Sequence, residues 1–522
     1  MTRGADAVMR ALAAQGVRDI FALSGNQIMP LFDASIDAGI RLYHTRHEAA
    51  AVYMAEGYAQ ITGGVGVALV TAGAGLGNAI GPLLTARASD TPVLLLSGDS
   101  PVSRDGQGAF QEMGQVALTA SLTKWSVRAT RAEDIGATIH AAVRVAMEGR
   151  PGPVHVSLPA DVLLAAAQVA DTPVVPDAPP PDIADLREWL DRADRPVIVM
   201  GPALTRTRAS GLAERLEQTT GAPVVDMESP RGIKDPALGG FAAVMAEADR
   251  VLLLGKPLDF TLQFGAVAPC AEWAVINGDA AEIDRARRTR DLRLGHAVAA
   301  DPAAVAQGLA RGNARARNAG WRHRVTAACA KRLPLCESGN IIHPRALCAE
   351  AQAIVEAAAD PVIVCDGGEF GQWAQAGLAA PRRIINGVSG AIGGGLCYAM
   401  AARAADPTAT VLAFMGDGTA GFHLAEFETA VREDLPFVAI IGNDQRWNAE
   451  HQIQLRDFGA DRLHGCALSD ARYDEAMIAL GGFGASVTEL HDLKGAIEAA
   501  IGSGKPACIN VMIEGAPAPD LG

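Results

Sequence analysis

Unbroken apolar runs recur along this chain, separated by glycine-rich or polar turns and by segments whose apolar positions follow a helical period. The clearest unit begins at residue 411. The run 411–415 (VLAFM) reads as a buried strand and delivers Gly416-Asp417-Gly418. Leu424, Phe427, Ala430 and Val431 then follow a helical period, and a second run, 437–441, ends on Gly442-Asn443-Asp444. Right-handed crossovers return the chain in the same direction, so this βαβ pattern predicts a parallel sheet with both polar turns at one edge. Open α/β sheets bind ligands at that edge.

The same alternation extends over the rest of the chain. Residues 1–170 read as helix and strand in turn, with a helix over 5–15, strands at 19–23, 41–45, 65–71, 92–97 and 154–158, and a helix rich in small residues from His47. Ser24-Gly25-Asn26-Gln27 is a turn that opens the second helix. The proline-rich stretch 172–181 reads as a linker. Residues 184–310 carry strands at 196–200, 223–226, 250–254 and 273–276, with no G-x-G-x-x-G after the first of them. Arg231-Gly232 and Lys256 lie in turns there and read as solvated charges more than as phosphate ligands. A charged helix is expected over 311–332, and residues 340–522 form a third region whose first strand, 361–365, ends in Asp366-Gly367-Gly368-Glu369. The expected fold is therefore α/β, with three doubly wound parallel-sheet domains.

Length and composition narrow this further. A chain of 522 residues exceeds a single core. Nearly half its residues are apolar but only 5% are aromatic, as in α/β enzymes with tightly packed helices. A net charge of −14 argues against nucleic acid or an anionic membrane as partner. The charge-free stretches 61–86 and 384–402 are broken by repeated glycines and by Asn78 and Asn386, so each reads as strand, glycine turn and buried helix rather than a membrane span. Eight cysteines without a CxxC pair, and a start that leads straight into an amphipathic helix, suit a reducing cytoplasm.

Candidate chemistry centres on the acids at strand ends. Asp417 and Asp444 would meet at one sheet edge, where oxygen ligands beside glycine backbone suit a Mg²⁺–diphosphate group. A lone GDG is an ordinary turn. GDG followed after 24 residues by Asn443-Asp444 resembles the thiamine-diphosphate signature of pyruvate decarboxylases, acetolactate synthases, benzaldehyde lyase and oxalyl-CoA decarboxylases. The stretch from Thr45-Arg46-His47-Glu48 through TAGAGLGNAI resembles the first domain of acetolactate synthases and benzaldehyde lyase, and 386–395 (NGVSGAIGGG) resembles the family's GxxGxMG segment.

That resemblance implies a pyrimidine-binding domain, a Rossmann-like middle domain that binds FAD or ADP in some members, and a diphosphate-binding domain. It makes Glu48 the activating carboxylate, bonded to the pyrimidine ring, and Ile392 the apolar prop beneath a bent cofactor. It sets Gln111, in Gly108-Ala109-Phe110-Gln111-Glu112, facing the substrate. Asn26 and Gln27 fall where benzaldehyde lyase and decarboxylases carry a catalytic histidine; amides orient a carbonyl or carboxylate but are poor proton shuttles. Cofactor contacts are implied for Gly25, Glu48, Asn78, Gly368, Glu369, Gly390, Ile392, Gly416, Asp417, Gly418, Thr419, Asp444, Arg446, Trp447 and Asn448. Relatives place an asparagine metal ligand 27 residues after the aspartate, which is Asp444 here; Asn443 is one position early. Mg²⁺ is thus expected on the Asp417 and Asp444 side chains and the Arg446 backbone carbonyl.

The implied activity is an acetolactate-synthase-like carboligase or decarboxylase of 2-oxo acids, its covalent catalyst the cofactor, with the product carbanion protonated or added to an aldehyde or oxo acid. Ile453, where acetolactate synthase has a selectivity-setting tryptophan, keeps a 2-hydroxyacyl-CoA, oxalyl-CoA or benzaldehyde-lyase-like activity open. A nucleotide-binding oxidoreductase or a silent subunit fits less well, since Glu48, Asp417 and Ile392 are all present. A homodimer or homotetramer is implied, with each cofactor held between the first domain of one subunit and the third of its partner.

Overall fold

The computed structural model describes residues 2–167, 181–289, 292–315, 317–332, 339 and 341–520. Apart from Pro181, the stretch read as a linker lies outside them. Among the described residues, seventeen strands form three sheets in which every strand pairing is parallel. The first sheet contains β1 (Asp19–Ala22), β2 (Arg41–His44), β3 (Gly66–Val70), β4 (Val93–Asp99), β5 (Trp125–Arg128) and β6 (Val154–Pro159), in the order β2-β1-β3-β4-β6-β5. The second contains β7 (Pro196–Met200), β8 (Val224–Asp226), β9 (Arg250–Leu254), β10 (Glu272–Asn277) and β11 (Arg293–Ala299), in the order β11-β10-β9-β7-β8. The third contains β12 (Pro361–Cys365), β13 (Arg382–Ile385), β14 (Thr410–Gly416), β15 (Val438–Asn443), β16 (Phe483–Val487) and β17 (Ala507–Met512), in the order β13-β12-β14-β15-β17-β16. The first and third sheets therefore share one winding order.

Central strands are buried on both faces, which is why they read as unbroken apolar runs: every residue of β3, β4 and β15 is buried. The chain reverses its winding between β1 and β3, and again between β12 and β14, so each sheet opens a crevice at those strand ends.

By contacts the chain divides into two compact units. One comprises Met1–Asp177 with Leu396–Pro407 and His423–Pro436; it holds the first sheet. The helix Glu48–Thr62 runs through its interior, twelve of its residues buried, and Glu56 within it accepts from the Thr85 hydroxyl at 2.7 Å and the Tyr398 hydroxyl at 2.8 Å. The other unit holds the second and third sheets, with an apolar core on each face of the second.

Two expectations need correction. The helix drawn over 311–332 is helical only over Ala319–Cys329, because Gly312 at φ +123° and Asn318 at φ +53° turn the backbone out of helical geometry. Lys256 is not a solvated turn charge: it is fully buried, its Nζ 3.6 Å from the Asp259 carboxylate. Among the described residues no helix is long and apolar enough to cross a membrane.

Candidate functional site

Two clusters form at the switch points of the first and third sheets, one in each compact unit. In the first unit, the ends of β1, β2 and β3 bring Gly25, Gln27, Glu48, Thr71, Gly73 and Asn78 together. Glu48 opens its helix in the first turn, buried to 9% exposure, and its Oε2 accepts from the Asn78 Nδ2 at 3.0 Å. Close approach dictates small residues around it. A Cβ on Gly25 would stand 2.2 Å from the Thr71 side chain, and one on Gly75 would lie 2.8 Å from Thr71 Cγ2 and 3.4 Å from Glu48 Oε1.

Gln27 and Gln111 meet in this cluster. The Thr71 hydroxyl donates to Gln27 Oε1 at 2.8 Å, and Gln27 Nε2 donates to Gln111 Oε1 at 2.8 Å. Gln111 sits at φ +59°, a region that non-glycine residues enter only when their surroundings impose it. Its loop is held by Glu112, which accepts from the backbone N–H groups of Gly106, Gly108 and Ala109, and by Gln115, whose Oε1 accepts from Gly73 N at 3.0 Å. The Thr71–Gln27–Gln111 chain contains no titratable group. Asn26 lies beside Gln27 in a 3₁₀ turn but is exposed, and no side-chain hydrogen bond joins it to the cluster among the described residues.

In the second unit, β12, β14 and β15 end around a cavity of about 190 Å³ lined by Gly368, Glu369, Gly390, Ile392, Gly416, Asp417, Gly418, Thr419, Asp444, Arg446, Trp447 and Asn448. Ligands of drug size occupy roughly 300–1,000 Å³, so this space suits the diphosphate end of a cofactor more than its whole length. Asp417 begins a short helix directly after β14. It is buried, its Oδ2 lacks a hydrogen-bond partner, and burial pushes its pKa up to about 6 against the opposing Gly418 N–H. Burial, followed by the nearby Asp417 charge, pushes Asp444 up to about 7. Two desolvated carboxylates lining one cavity call for a cation.

Asn443 does not face that cavity. Its Nδ2 donates to Asn510 Oδ1 and the Ala471 carbonyl, while its Oδ1 accepts from Gln445 N. Gln445, at φ +59°, completes the bend that turns Asp444 inward. Among the described residues no group of three His, Cys, Asp or Glu side chains is placed to hold a metal ion. The isolated bridge of Arg446 to Ala467 is made through Trp447 N to Cys466 O and Leu468 N to Gln445 O, and among the described residues no backbone N–H donates to the Arg446 carbonyl oxygen, which leaves it able to serve as a ligand. Trp447 covers Gly418, where a Cβ would stand 2.7 Å from the indole ring. Glu369 Oε2 accepts from Ala518 N, and Asn448 Nδ2 donates to the Ala516 carbonyl, so both rim side chains also hold the C-terminal segment.

Sequence reasoning gave no site role to Thr71 or Gln115, and met Asp366 and Asn386 only as members of turns. Thr71 was hidden at the end of an apolar run. Asp366 carried a signal that could have found it, since it follows β12 as Asp417 follows β14.

Comparison with known proteins identifies the family. Residues 2–118 match the thiamine pyrophosphate enzyme N-terminal TPP binding domain, residues 183–309 the central domain and residues 366–511 the C-terminal TPP binding domain. The chain belongs to the family of thiamine-diphosphate-dependent enzymes. It is 30% identical to the acetolactate synthase large subunit IlvG of Mycobacterium tuberculosis, over 97% of this chain and 95% of that protein. It is 29% identical to 2-hydroxyacyl-CoA lyase 2 of Homo sapiens, over 98% of this chain and 90% of that protein. The fold matches a thiamine diphosphate-dependent 4-hydroxybenzoylformate decarboxylase from Rhodococcus jostii RHA1 with a TM-score of 0.82 at 24% identity, covering both chains fully.

Proposed function

We propose that this protein is an acetolactate-synthase-like carboligase that takes a 2-oxo acid as donor. The observation that carries the reading is the uncharged Thr71–Gln27–Gln111 chain beside Glu48. When bound, thiamine diphosphate supplies the nucleophilic carbon that adds to the donor carbonyl. Glu48, oriented by Asn78, would hold the pyrimidine nitrogen. Asp417, Asp444 and the Arg446 carbonyl would hold Mg²⁺, and the glycine turns after β12 and β14 would let backbone approach the diphosphate.

Gln27 and Gln111 present amide N–H groups to a carbonyl or carboxylate oxygen but cannot deliver a proton at neutral pH. Addition to a second carbonyl is thereby favoured over protonation. The test is product analysis from pyruvate with Mg²⁺ and thiamine diphosphate. Acetolactate should form with little acetaldehyde; acetaldehyde as the sole product would sink the assignment.

A second reading, a 2-hydroxyacyl-CoA lyase, is favoured by Ile453, which is 45% exposed on the helix Asn448–Phe458 and leaves room for a longer acyl chain. Cleavage of a 2-hydroxyacyl-CoA with no turnover of pyruvate would select it. In either reading we propose a homodimer at least, cytoplasmic, with each cofactor shared between the first domain of one subunit and the third of the other. Sedimentation of a monomer at full activity would contradict that assembly. FAD at the second sheet is tested by the absorbance spectrum of the purified protein, which carries flavin bands if the group is held there.

A further inference from the structure

We propose that Asp366 is a positioning residue that fixes the turn carrying Ile392. The inference rests on the reading of Ile392 as the prop beneath the bent cofactor. Asp366 directly follows β12 and is fully buried, and no lysine or arginine pairs with it among the described residues. An isolated buried carboxylate is strongly unfavourable unless hydrogen bonds replace its water. Here three backbone N–H groups do so: Gly367 N donates at 2.6 Å, Gly393 N at 3.0 Å and Gly395 N at 2.6 Å.

Two of those donors come from the turn on the C-terminal side of Ile392. On the other side, Asn386 Nδ2 donates to the Ala391 carbonyl at 3.0 Å. The backbone is thus anchored on both flanks of Ile392, by a carboxylate and by an amide. The Ile392 side chain packs against the strand end itself, for a Cβ on Gly367 would stand 2.3 Å from its Cγ2. Gly393, at φ +99°, supplies the backbone conformation that aims its N–H at Asp366. A buried carboxylate held by Gly367 at the strand end and by Gly393 and Gly395 in the turn transmits the position of β12 to Ile392.

Asp366→Asn tests this, because it replaces one acceptor oxygen with an N–H group aimed at the same donors. The Asp417 and Asp444 carboxylates stand outside this network, so affinity for Mg²⁺–thiamine diphosphate and substrate KM should each change by less than about threefold, while kcat falls about 10- to 100-fold. The near-ultraviolet circular dichroism of the bound cofactor should change in step with kcat. Asn386→Ala, which loosens the other flank, should give the same split. It decides the matter if Asp366→Asn does not accumulate as folded protein. Ile392→Ala is the control: full activity there would refute the reading of Ile392 itself. Loss of kcat in Ile392→Ala, with wild-type kcat and dichroism in the flank variants, would overturn the positioning role.

Discussion

Gln27 is a buried carboxamide in the 3₁₀ turn after β1. Its orientation is set by two partners, the Thr71 hydroxyl and the Gln111 carbonyl oxygen. The three side chains act as one unit, so their contributions should not add. Thr71→Val and Gln27→Ala are each expected to lower kcat/KM for the donor about 3- to 30-fold, the range of one or two lost hydrogen bonds. The double variant should lose little more than the worse single; fully additive losses would show that Thr71 acts independently of Gln27. Gln111 was singled out in the sequence through the family loop and Gln27 through its turn, but Thr71 was not. It lies 44 positions beyond Gln27 along the chain, and only the parallel pairing of β1 with β3 brings their ends together.

The turns at strand ends are where backbone geometry is least replaceable. Gly367 has ordinary extended dihedrals, so its constraint is space rather than φ: an added methyl would overlap Ile392 Cγ2. Gly367→Ala should lower stability by about 1–3 kcal/mol, the usual cost of overpacking, measured by thermal unfolding. Combination with Ile392→Ala should recover most of that loss, and no recovery would mean the strain lies elsewhere. At this scale the sequence was read unevenly. Strands buried on both faces announced themselves, whereas β5, β11, β13 and β16 were missed, and each is the edge of its sheet. Edge strands are covered on fewer sides, so WSVR, RLGHAVA, RRII and FGASV carry polar residues that break the apolar signal. The helix boundary at Ala319 escaped for a different reason, a left-handed turn at a non-glycine residue.

Across the whole molecule, the first and third sheets repeat one strand order and each opens a crevice at its switch point, one presenting Glu48 and the other Asp417 and Asp444. The first sheet is also built around a neutral imidazole. His155 is buried in β6 between the hydroxyls of Ser97, Thr119 and Ser126, and burial lowers its pKa to about 3. Unfolding restores an ordinary imidazole, so the unfolded state takes up the proton first as pH falls. Stability from this group is complete above about pH 6.5 and declines toward pH 3 by about 1.4 kcal/mol per unit. Thermal unfolding midpoints should therefore fall more steeply below pH 6.5 in the wild type than in His155→Gln, and equal slopes would exclude His155 as the cause. In the proposed reaction Glu48 serves the chemistry of thiamine diphosphate and the Asp417–Asp444 pair the binding of its Mg²⁺–diphosphate. Calorimetric titration of thiamine diphosphate into wild type, Glu48→Gln and Asp417→Ala separates the two roles. Magnesium-dependent saturation should persist in Glu48→Gln despite lost turnover and vanish in Asp417→Ala, whereas undiminished affinity in Asp417→Ala would contradict the account.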